Sequence, residues 1–318
     1  MKPIELGRMR VHRVMELESP VPLLSQLPGT TAEDLTRLMR WYDQPDEITA
    51  DPETCKMTFS VHSWVIELDG LTILVDSCDG NHKNRSLPEV HQLNQPYLAN
   101  LAAAGFNPED IDLVMCTHLH FDHVGWNTML DNGRWVPTFS KARYLFGRKD
   151  YEYFKANPEG EALHFEAFCD SILPVMEAGM GELVDEDMIV HREIGNGLWL
   201  EPAFGHSPGC CTINAKADGP PAMFWGDVIH HPVQLIRHDL PFAFDADPAT
   251  ASKVRKATLE IPVIRQEIEA RSQSHSFRLL VQTEAVPPVP VSSSPASARQ
   301  RGRSPISAAS ASPGISRL

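Results

Sequence analysis

Four side chains that can bind a metal ion lie within six consecutive residues, directly after an apolar run. Residues 111–116, Ile-Asp-Leu-Val-Met-Cys, are mostly apolar and predict a buried strand, at whose end the string Thr-His-Leu-His-Phe-Asp-His begins. His118 and His120 are alternate residues, so their side chains point to the same side of an extended chain. The turn that follows can bring Asp122 and His123 toward a second point. One segment can therefore serve two metal ions.

The ligand types indicate which metal the segment would bind. Imidazole nitrogen and carboxylate oxygen suit Zn²⁺, with Mn²⁺ or Fe²⁺ as alternatives, and the lack of cysteine in the string argues against a purely structural site. A lone His-x-His pair could equally be a solvated strand edge, but the added Asp122 and His123 argue against that interpretation. We therefore expect an open site that keeps a water molecule.

This string resembles the metal-binding motif of the metallo-β-lactamase superfamily, which includes lactonases, glyoxalase II, β-lactamases and phosphotriesterases. In that family a third histidine and a bridging aspartate come later in the chain. The resemblance assigns these roles to His206, in Gly-His-Ser-Pro-Gly, and to Asp227, in Trp-Gly-Asp. It gives Asp76, in Leu-Val-Asp-Ser, a supporting role at a strand end. The full ligand set that it implies for two divalent metal ions, with zinc expected, is His118, His120, Asp122, His123, His206 and Asp227.

The implied fold is an α/β, four-layer αββα sandwich in which two mixed β-sheets are flanked by helices. The residues independently indicate an α/β fold. Two strands around the tight turn Asp69-Gly70 are followed by a helical pattern that stops at Gly105 and then by the buried strand at 111–116. Asp247 and Pro248 predict the start of a last helix.

Three regions are predicted along the chain. Residues 1–54 form an N-terminal extension that packs on the core; its first 30 residues are expected to be irregular because of Pro20, Pro22 and Pro28, and a helix follows from Thr31 to about Trp41. Residues 55–272 form the catalytic domain. Residues 273–318, rich in Ser, Pro, Ala and Arg, are expected to be disordered. This stretch is either a native tail or the product of a reading-frame change.

The chain departs from the family at the last ligand of the second metal. The family places a histidine there, on an apolar strand, whereas the corresponding text here is Glu-Ile-Glu-Ala-Arg-Ser-Gln-Ser-His. His275 has about the right separation from Asp227 but lacks the apolar context. If it is not a ligand, the second metal would be bound weakly or not at all.

The implied reaction is hydrolysis by a hydroxide that two metal ions generate near neutral pH. Asp122 would orient this nucleophile and carry the proton to the leaving group. Acyl-homoserine lactonases and some phosphotriesterases of the family carry a tyrosine where this chain has His230, so we predict a substrate-facing donor there, with a buried supporting imidazole as the alternative. Gly-x-Ser-x-Gly occurs once, as the Gly-His-Ser-Pro-Gly segment whose His206 the resemblance assigns to the metal, so we do not expect a serine hydrolase. A P-loop is missing, so a nucleotide-binding function has no support.

A small carboxylic ester or lactone, including an acyl-homoserine lactone, is the expected substrate. The alternatives are a phosphotriester or aryl ester and, from another class, a non-catalytic relative with an altered C-terminus. An aromatic set either lines an apolar pocket or belongs to the core: Trp64, Trp126, Phe146, Phe242 and Phe244. Four histidines lack a motif and are expected to be structural: His62, His164, His191 and His238.

Composition limits the partners and the location. A net charge of −14 and a sequence pI near 5.4 argue against nucleic acid or anionic membranes as partners. No apolar run is long enough to span a membrane and the N-terminus lacks an apolar block, so we expect a cytoplasmic protein, with a homodimer as one oligomeric option. The six cysteines show no C-x-x-C spacing; we expect reduced, mostly buried thiols, with little chemistry at Cys210 and Cys211.

Overall fold

The computed structural model describes residues 2–40, 49–191 and 197–261. The strands are β1 Ile4–Leu6, β2 Met9–Pro22, β3 Lys56–Leu68, β4 Leu71–Val75, β5 Leu113–Met115, β6 Thr128–Asp131, β7 Arg134–Pro137, β8 Arg143–Gly147, β9 Gly181–Val184, β10 Ile189–His191, β11 Gly197–Pro202, β12 Cys211–Lys216 and β13 Ala222–Phe224. The helices are α1 Leu23–Gln26, α2 Ala32–Met39, α3 Tyr97–Ala103, α4 Phe121–Val124, α5 Arg148–Ala156, α6 Ala162–Ala167, α7 Leu173–Glu177 and α8 Pro248–Glu260.

Two sheets organise most of these elements, and β6 and β7 form a separate two-stranded sheet. The larger has the strand order β1-β2-β3-β4-β5-β8-β9, and the smaller has the order β10-β11-β12-β13. Strands β1 to β4 are antiparallel, whereas β4, β5, β8 and β9 run parallel; the described strands of the smaller sheet are antiparallel. Because the carboxyl ends of parallel strands meet at one edge, the segments after β4, β5 and β8 lie close together.

Side chains of the larger sheet alternate between two cores. Ile73 and Val75 of β4 pack between the two sheets with Leu200 and Ile213 of the smaller sheet. Leu74 points the other way and packs in the core under the helices of the outer face. This alternation is the period-two pattern expected of a strand that is buried on both faces.

Helices cover both outer faces. Leu101 of α3 and Phe154 of α5 pack on the outside of the larger sheet. Leu35 and Leu38 of α2 pack with Met223 of β13 in a third core, on the outside of the smaller sheet. The result is helix, sheet, sheet, helix, which confirms the predicted αββα fold class.

The N-terminal 30 residues are not irregular, and that prediction is wrong. β2 pairs with β3 from Arg10 opposite Glu67 to Pro22 opposite Lys56. Pro20 and Pro22 are tolerated because β1 pairs only with residues 9–11 of β2, which leaves the proline end of β2 at an edge among the described strands. The N-terminal residues are therefore strands of the main sheet.

The local signals for helices and turns agree with the structure. Thr31 caps α2 in a reciprocal arrangement with Asp34, and the Asp247 side chain accepts hydrogen bonds from the first turn of α8. α2 ends at Met39, and Trp41 lies outside the described residues. The helical pattern at 161–179 also has its counterpart: α6, a π-helical turn at Phe168–Ile172 and α7 follow one another without a break, and Pro174 is the second residue of α7. Among the described residues, no helix is both long and apolar enough to cross a membrane.

Candidate metal centre

Four segments bring the predicted ligands to the edge where the parallel strands end. His118 and His120 follow β5, and α4 carries Asp122 and His123. The third segment is the loop between β11 and β12, with His206, and the fourth is the turn after β13, with Asp227. A backbone hydrogen bond from Cys211 to Thr117 (2.9 Å) ties the first of these segments to the third.

Three histidines and the aspartate form a first cluster. His118, His120 and His206 each offer a ligand atom, and these atoms lie within 4.8 Å of one another. Nε2 of His206 is 2.9 Å from Nδ1 of His120 and 3.2 Å from Oδ2 of Asp227, while Nε2 of His118 is 3.9 Å from the same oxygen. All four side chains are buried.

A second cluster lies on the other oxygen of the aspartate. Nε2 of His123 is 3.2 Å from Oδ1 of Asp227 and 3.5 Å from Oδ2 of Asp122. His118, His123 and Asp227 also offer ligand atoms within 4.8 Å of one another. Asp227 therefore presents one oxygen to each cluster.

Buried polar atoms without partners show that these residues fit a cation. Nε2 of His118, Nε2 of His123 and Oδ1 of Asp227 are buried and make no hydrogen bond among the described residues. Such atoms are costly unless an ion or another group satisfies them. Lone pairs of imidazole and carboxylate converging on two points suit divalent metal ions of the zinc class.

Protonation of the histidines differs across the centre. Burial lowers the pKa of His118 and His120 well below the usual value, so their nitrogens keep free lone pairs. Burial also opposes a charge on His206, but Asp227 and Asp245 outweigh it and raise the pKa of His206 to about 9. For Asp227, burial favours the neutral acid, yet His123 and His206 hold its pKa well below the usual range. A metal ion at His206 would therefore compete with a proton.

Asp76 lies in the supporting position that the resemblance implies. It has a positive φ of 53° at the end of β4, and its carboxylate accepts hydrogen bonds from the backbone N (2.7 Å) and Oγ1 (2.8 Å) of Thr117. Nδ1 of His123 is 2.9 Å from the same carboxylate. This contact fixes the imidazole with Nε2 directed at the second cluster, as metal-binding histidines are commonly held.

Two further carboxylates support the first cluster and were missed in the sequence. Asp150, in α5, accepts hydrogen bonds from the backbone N of Leu119 (3.0 Å), Oγ of Ser207 (2.8 Å) and the backbone N of Gly209 (2.5 Å), so it joins both histidine loops. A Cβ at Gly209 would lie 2.6 Å from the backbone N of Asp150, which explains the glycine in Gly-His-Ser-Pro-Gly. That glycine marks a close approach but does not identify Asp150 as the partner.

Asp245 is the second missed carboxylate. Its Oδ1 is 3.1 Å from Nδ1 of His206, and its Oδ2 is 3.4 Å from Nη2 of the buried Arg255. Arg255 in turn donates to the backbone oxygens of Val228, His238 and Leu240. No motif surrounds Asp245 or Arg255, since both act through contacts made in the folded chain.

Glu16 reaches the loop after β4 through a β-bulge. The register of β2 against β3 shifts between Met15 and Leu17, so Glu16 is the extra residue and its side chain turns inward. Its carboxylate accepts hydrogen bonds from the backbone N of Asp79 (2.8 Å) and Gly80 (3.1 Å). Burial raises the pKa of Glu16 to about 7, against these bonds.

His230 lies against the shared aspartate. Its Nε2 is 3.2 Å from Oδ2 of Asp227, and its ring stacks on Phe242 with centroids 3.6 Å apart. The side chain is fully buried, and Nδ1 has no hydrogen-bond partner among the described residues. A substrate-facing role for His230 stays a prediction. His275 and residues 273–318 lie outside the described residues.

His164 was predicted to be structural, yet it lies at the centre. Its ring, on α6, stacks on His120 with centroids 3.9 Å apart and planes at 18°. Burial lowers the pKa of His164 to about 4. His62 is buried with Nδ1 on the backbone oxygen of Ser60 (2.7 Å), and the side chain of His191 is outside the described part of the chain.

Most of the aromatic set belongs to the hydrophobic cores. Trp64, Trp126, Phe146 and Phe242 are core residues, and Phe242 also stacks on His230. Phe244 is exposed and its ring lies 6.4 Å from that of His164. Five of the six cysteines are buried, as predicted, and Cys169 is exposed.

Relatives with known names cover part of this chain. N-acyl homoserine lactonase AiiA of Bacillus thuringiensis subsp. kurstaki is 25% identical over 154 residues, which is 48% of this chain and 52% of the relative. A synthase of 7,8-dihydropterin-6-methyl-4-(β-D-ribofuranosyl)-aminobenzene-5′-phosphate from Methanocaldococcus jannaschii is 30% identical over 73 residues, 22% of this chain and 25% of that protein. The chain thus spans about half, or less, of the length of these two relatives.

Solved structures share the fold over most of the chain. A probable metal-dependent hydrolase from Staphylococcus aureus has a TM-score of 0.66 at 16% identity, covering 88% of this chain and 91% of its own. Hydrolase AbOPH of the β-lactamase superfamily scores 0.65 at 19%, covering 81% and 84%. AidC, a dizinc quorum-quenching lactonase, scores 0.64 at 18%, covering 85% and 87%.

The family assignment rests on a longer match. Residues 57–265, well over half of the 318-residue chain, match the family described as "Metallo-beta-lactamase superfamily". The matched stretch includes both clusters that share Asp227. The chain therefore belongs to the metallo-β-lactamase superfamily and has the fold of a metal-dependent hydrolase.

Proposed function

We propose that the chain is a two-metal hydrolase that cleaves a small carboxylic ester or lactone. The observation that carries the proposal is the position of Asp227, with Oδ1 3.2 Å from Nε2 of His123 and Oδ2 3.2 Å from Nε2 of His206. One carboxylate shared by two clusters can hold two cations a few ångströms apart, the spacing that two-metal hydrolysis uses. The proposed ligands are His118, His120 and His206 for one ion and Asp122 and His123 for the other, with Asp227 shared.

The ions would supply Lewis acidity, which polarises the substrate carbonyl and lowers the pKa of a water. The remaining work falls to the side chains. The Asp122 side chain is 20% exposed, whereas those of His118, His123, His206 and Asp227 are nearly closed to solvent. Asp122 is therefore the carboxylate placed to orient the attacking water and carry its proton to the leaving group.

Apolar aromatic surroundings support an acyl substrate. Phe242 packs against His230, and Phe244, 5.8 Å from Phe242, is 38% exposed. Such a surface favours an uncharged ester with an apolar acyl part over a highly charged substrate. The similarity to proteins named N-acyl homoserine lactonases makes an acyl-homoserine lactone the first substrate to test.

The test is hydrolysis by the purified full chain of N-hexanoyl-homoserine lactone, 4-nitrophenyl acetate and an aryl phosphotriester. We expect lactone cleavage that a chelator abolishes and that Zn²⁺ or Mn²⁺ restores. Faster turnover of the phosphotriester would instead favour the alternative substrate class. Turnover that a chelator leaves unchanged, or no turnover of any of the three by metal-loaded protein, would contradict the proposal and favour a non-catalytic relative.

A further inference from the structure

We propose that His164 contacts the substrate and donates a hydrogen bond to a carbonyl or amide oxygen of its acyl part. This rests on the proposed hydrolase function and adds a residue that is outside the metal-binding clusters. His164 belongs to α6, away in the chain from every predicted ligand, and it reaches the centre only through folding.

Ring contacts place His164 against the first cluster. Its ring lies on His120, with centroids 3.9 Å apart, and beside Phe121, at 5.8 Å. Phe154 (5.4 Å) and Phe244 (6.4 Å) complete the surroundings. These neighbours hold the imidazole in one place without using its nitrogens.

Two partly exposed side chains lie near this ring. Phe244 is 38% exposed, and Asp122 has a 20% exposed side chain. Asp122 is also close enough to act electrostatically on His164. We infer that substrate approaches from the side of these two partly exposed residues, where His164 is a neighbour of Phe244.

One ring nitrogen of His164 lacks a hydrogen-bond partner. Nδ1 of His164 is buried and has no partner among the described residues, although buried imidazole nitrogens are normally bonded. Other histidines of the described chain also have a buried nitrogen without a partner: His62, His118, His123, His230 and His238. His118, His123 and His230 are in groups able to hold an ion, whereas His164 is in none of those found in the described chain. What separates His164 from His62 and His238 is its ring contact with His120, a predicted metal ligand. A ring that only packed on His120 would need no nitrogen, so an oxygen of the substrate is the partner that fits.

The test compares two substitutions in the metal-loaded full chain. His164→Phe keeps an aromatic ring for stacking but removes the hydrogen bond, and His164→Gln keeps an amide donor but removes the ring. For N-hexanoyl-homoserine lactone we expect His164→Phe to raise KM roughly tenfold, the scale of one lost hydrogen bond, with kcat less affected. His164→Gln should recover part of that loss. Phe154→Leu, which disturbs the same stack without removing a polar atom, is the packing control.

Metal content, measured on each variant by elemental analysis, separates the outcomes. Unchanged metal with a KM raised only in His164→Phe supports the contact. An unchanged KM in that variant overturns it while leaving the proposed hydrolase intact. Loss of metal in His164→Phe, or an equal rise of KM in Phe154→Leu, also overturns it, since the ring would then only position His120. Absence of turnover in the unsubstituted chain is the separate failure of the proposed function, and the contact fails with it.

Discussion

The two clusters of the metal centre differ in how firmly the fold holds their ligands. The first holds three buried histidines, and carboxylates fix the segments that carry them: Asp150 joins the two loops and Asp245 holds His206. In the second, Asp76 holds His123, but the other ligands are the partly exposed Asp122 and residues that the first cluster also uses, Asp227 and His118. A cluster whose ligands are prearranged loses less entropy when it binds an ion. We therefore expect the first site to bind its metal more tightly than the second.

The largest expected effect comes from removing a ligand of the first cluster. His206→Ala deletes the nitrogen that lies 3.2 Å from Asp227, and we expect loss of the first metal and a fall in lactone hydrolysis of more than about a hundredfold. Elemental analysis and initial rates measure both. A variant with full metal content would break the ligand assignment.

Asp245→Asn tests the support of the first cluster rather than the cluster itself. The carboxylate 3.1 Å from Nδ1 of His206 orients that ring, and its neutralisation should weaken zinc binding by about 10- to 100-fold. Asp247→Asn is the matched control, because the same chemical change two residues away affects only the cap of α8. Equal zinc affinities in the two variants would show that the orienting contact is unimportant.

Glu16, which holds the loop after β4, should make the stability of the chain depend on pH. Its pKa is raised from 4.5 to about 7, so between these values the folded chain binds more protons than the unfolded chain. The contribution of Glu16 to the free energy of unfolding therefore falls as pH rises across that range, by up to roughly 3 kcal/mol. Urea unfolding of the metal-free protein at pH 5 and at pH 8 measures this change. The difference in the free energy of unfolding between the two pH values should be smaller in Glu16→Gln than in the unsubstituted chain.

Glu18→Gln serves as the control for that experiment, since Glu18 is more exposed on the same strand. It should leave the pH dependence of unfolding as it is in the unsubstituted chain. An identical slope for Glu16→Gln and the unsubstituted chain would mean that the buried carboxyl has no role in stability at these pH values.

The smallest effect is expected for His275→Ala. The sequence around His275 lacks the apolar strand of the family, so we expect metal content and turnover within about twofold of the unsubstituted chain, the scale of a surface substitution. Selective loss of one metal would show the reverse, that His275 closes the second site, and would narrow the difference between the clusters.

The features predicted correctly from the sequence were those that depend on local patterns of residues. The string from His118 to His123, the Asp69-Gly70 turn and the cap at Asp247 are decided by neighbours a few residues away, and the structure has the corresponding strand end, turn and helix start. The prediction of an irregular N-terminus, based on its prolines, was wrong for a different reason. A proline breaks a central strand but is tolerated in an edge strand of a sheet, and which strand lies at the edge depends on pairing with distant residues.

The supporting residues could not be found in the same way. Asp150, Asp245 and Glu16 lie 59, 39 and 63 residues from partners that they hold, and a carboxylate in an ordinary context gives no sign of such a partner. His164 shows the same limit, because its approach to His120 depends on how α6 packs and not on any motif.

The central claim, that Asp227 is shared by two ions, is tested most directly by zinc titration of metal-free protein, comparing the unsubstituted chain with Asp227→Asn. Calorimetry should resolve a tight and a weaker binding step in the unsubstituted chain. In Asp227→Asn the weaker step should vanish and the tight step should weaken. Two unchanged steps in the variant, or fewer than two ions bound by the unsubstituted chain, would contradict the account.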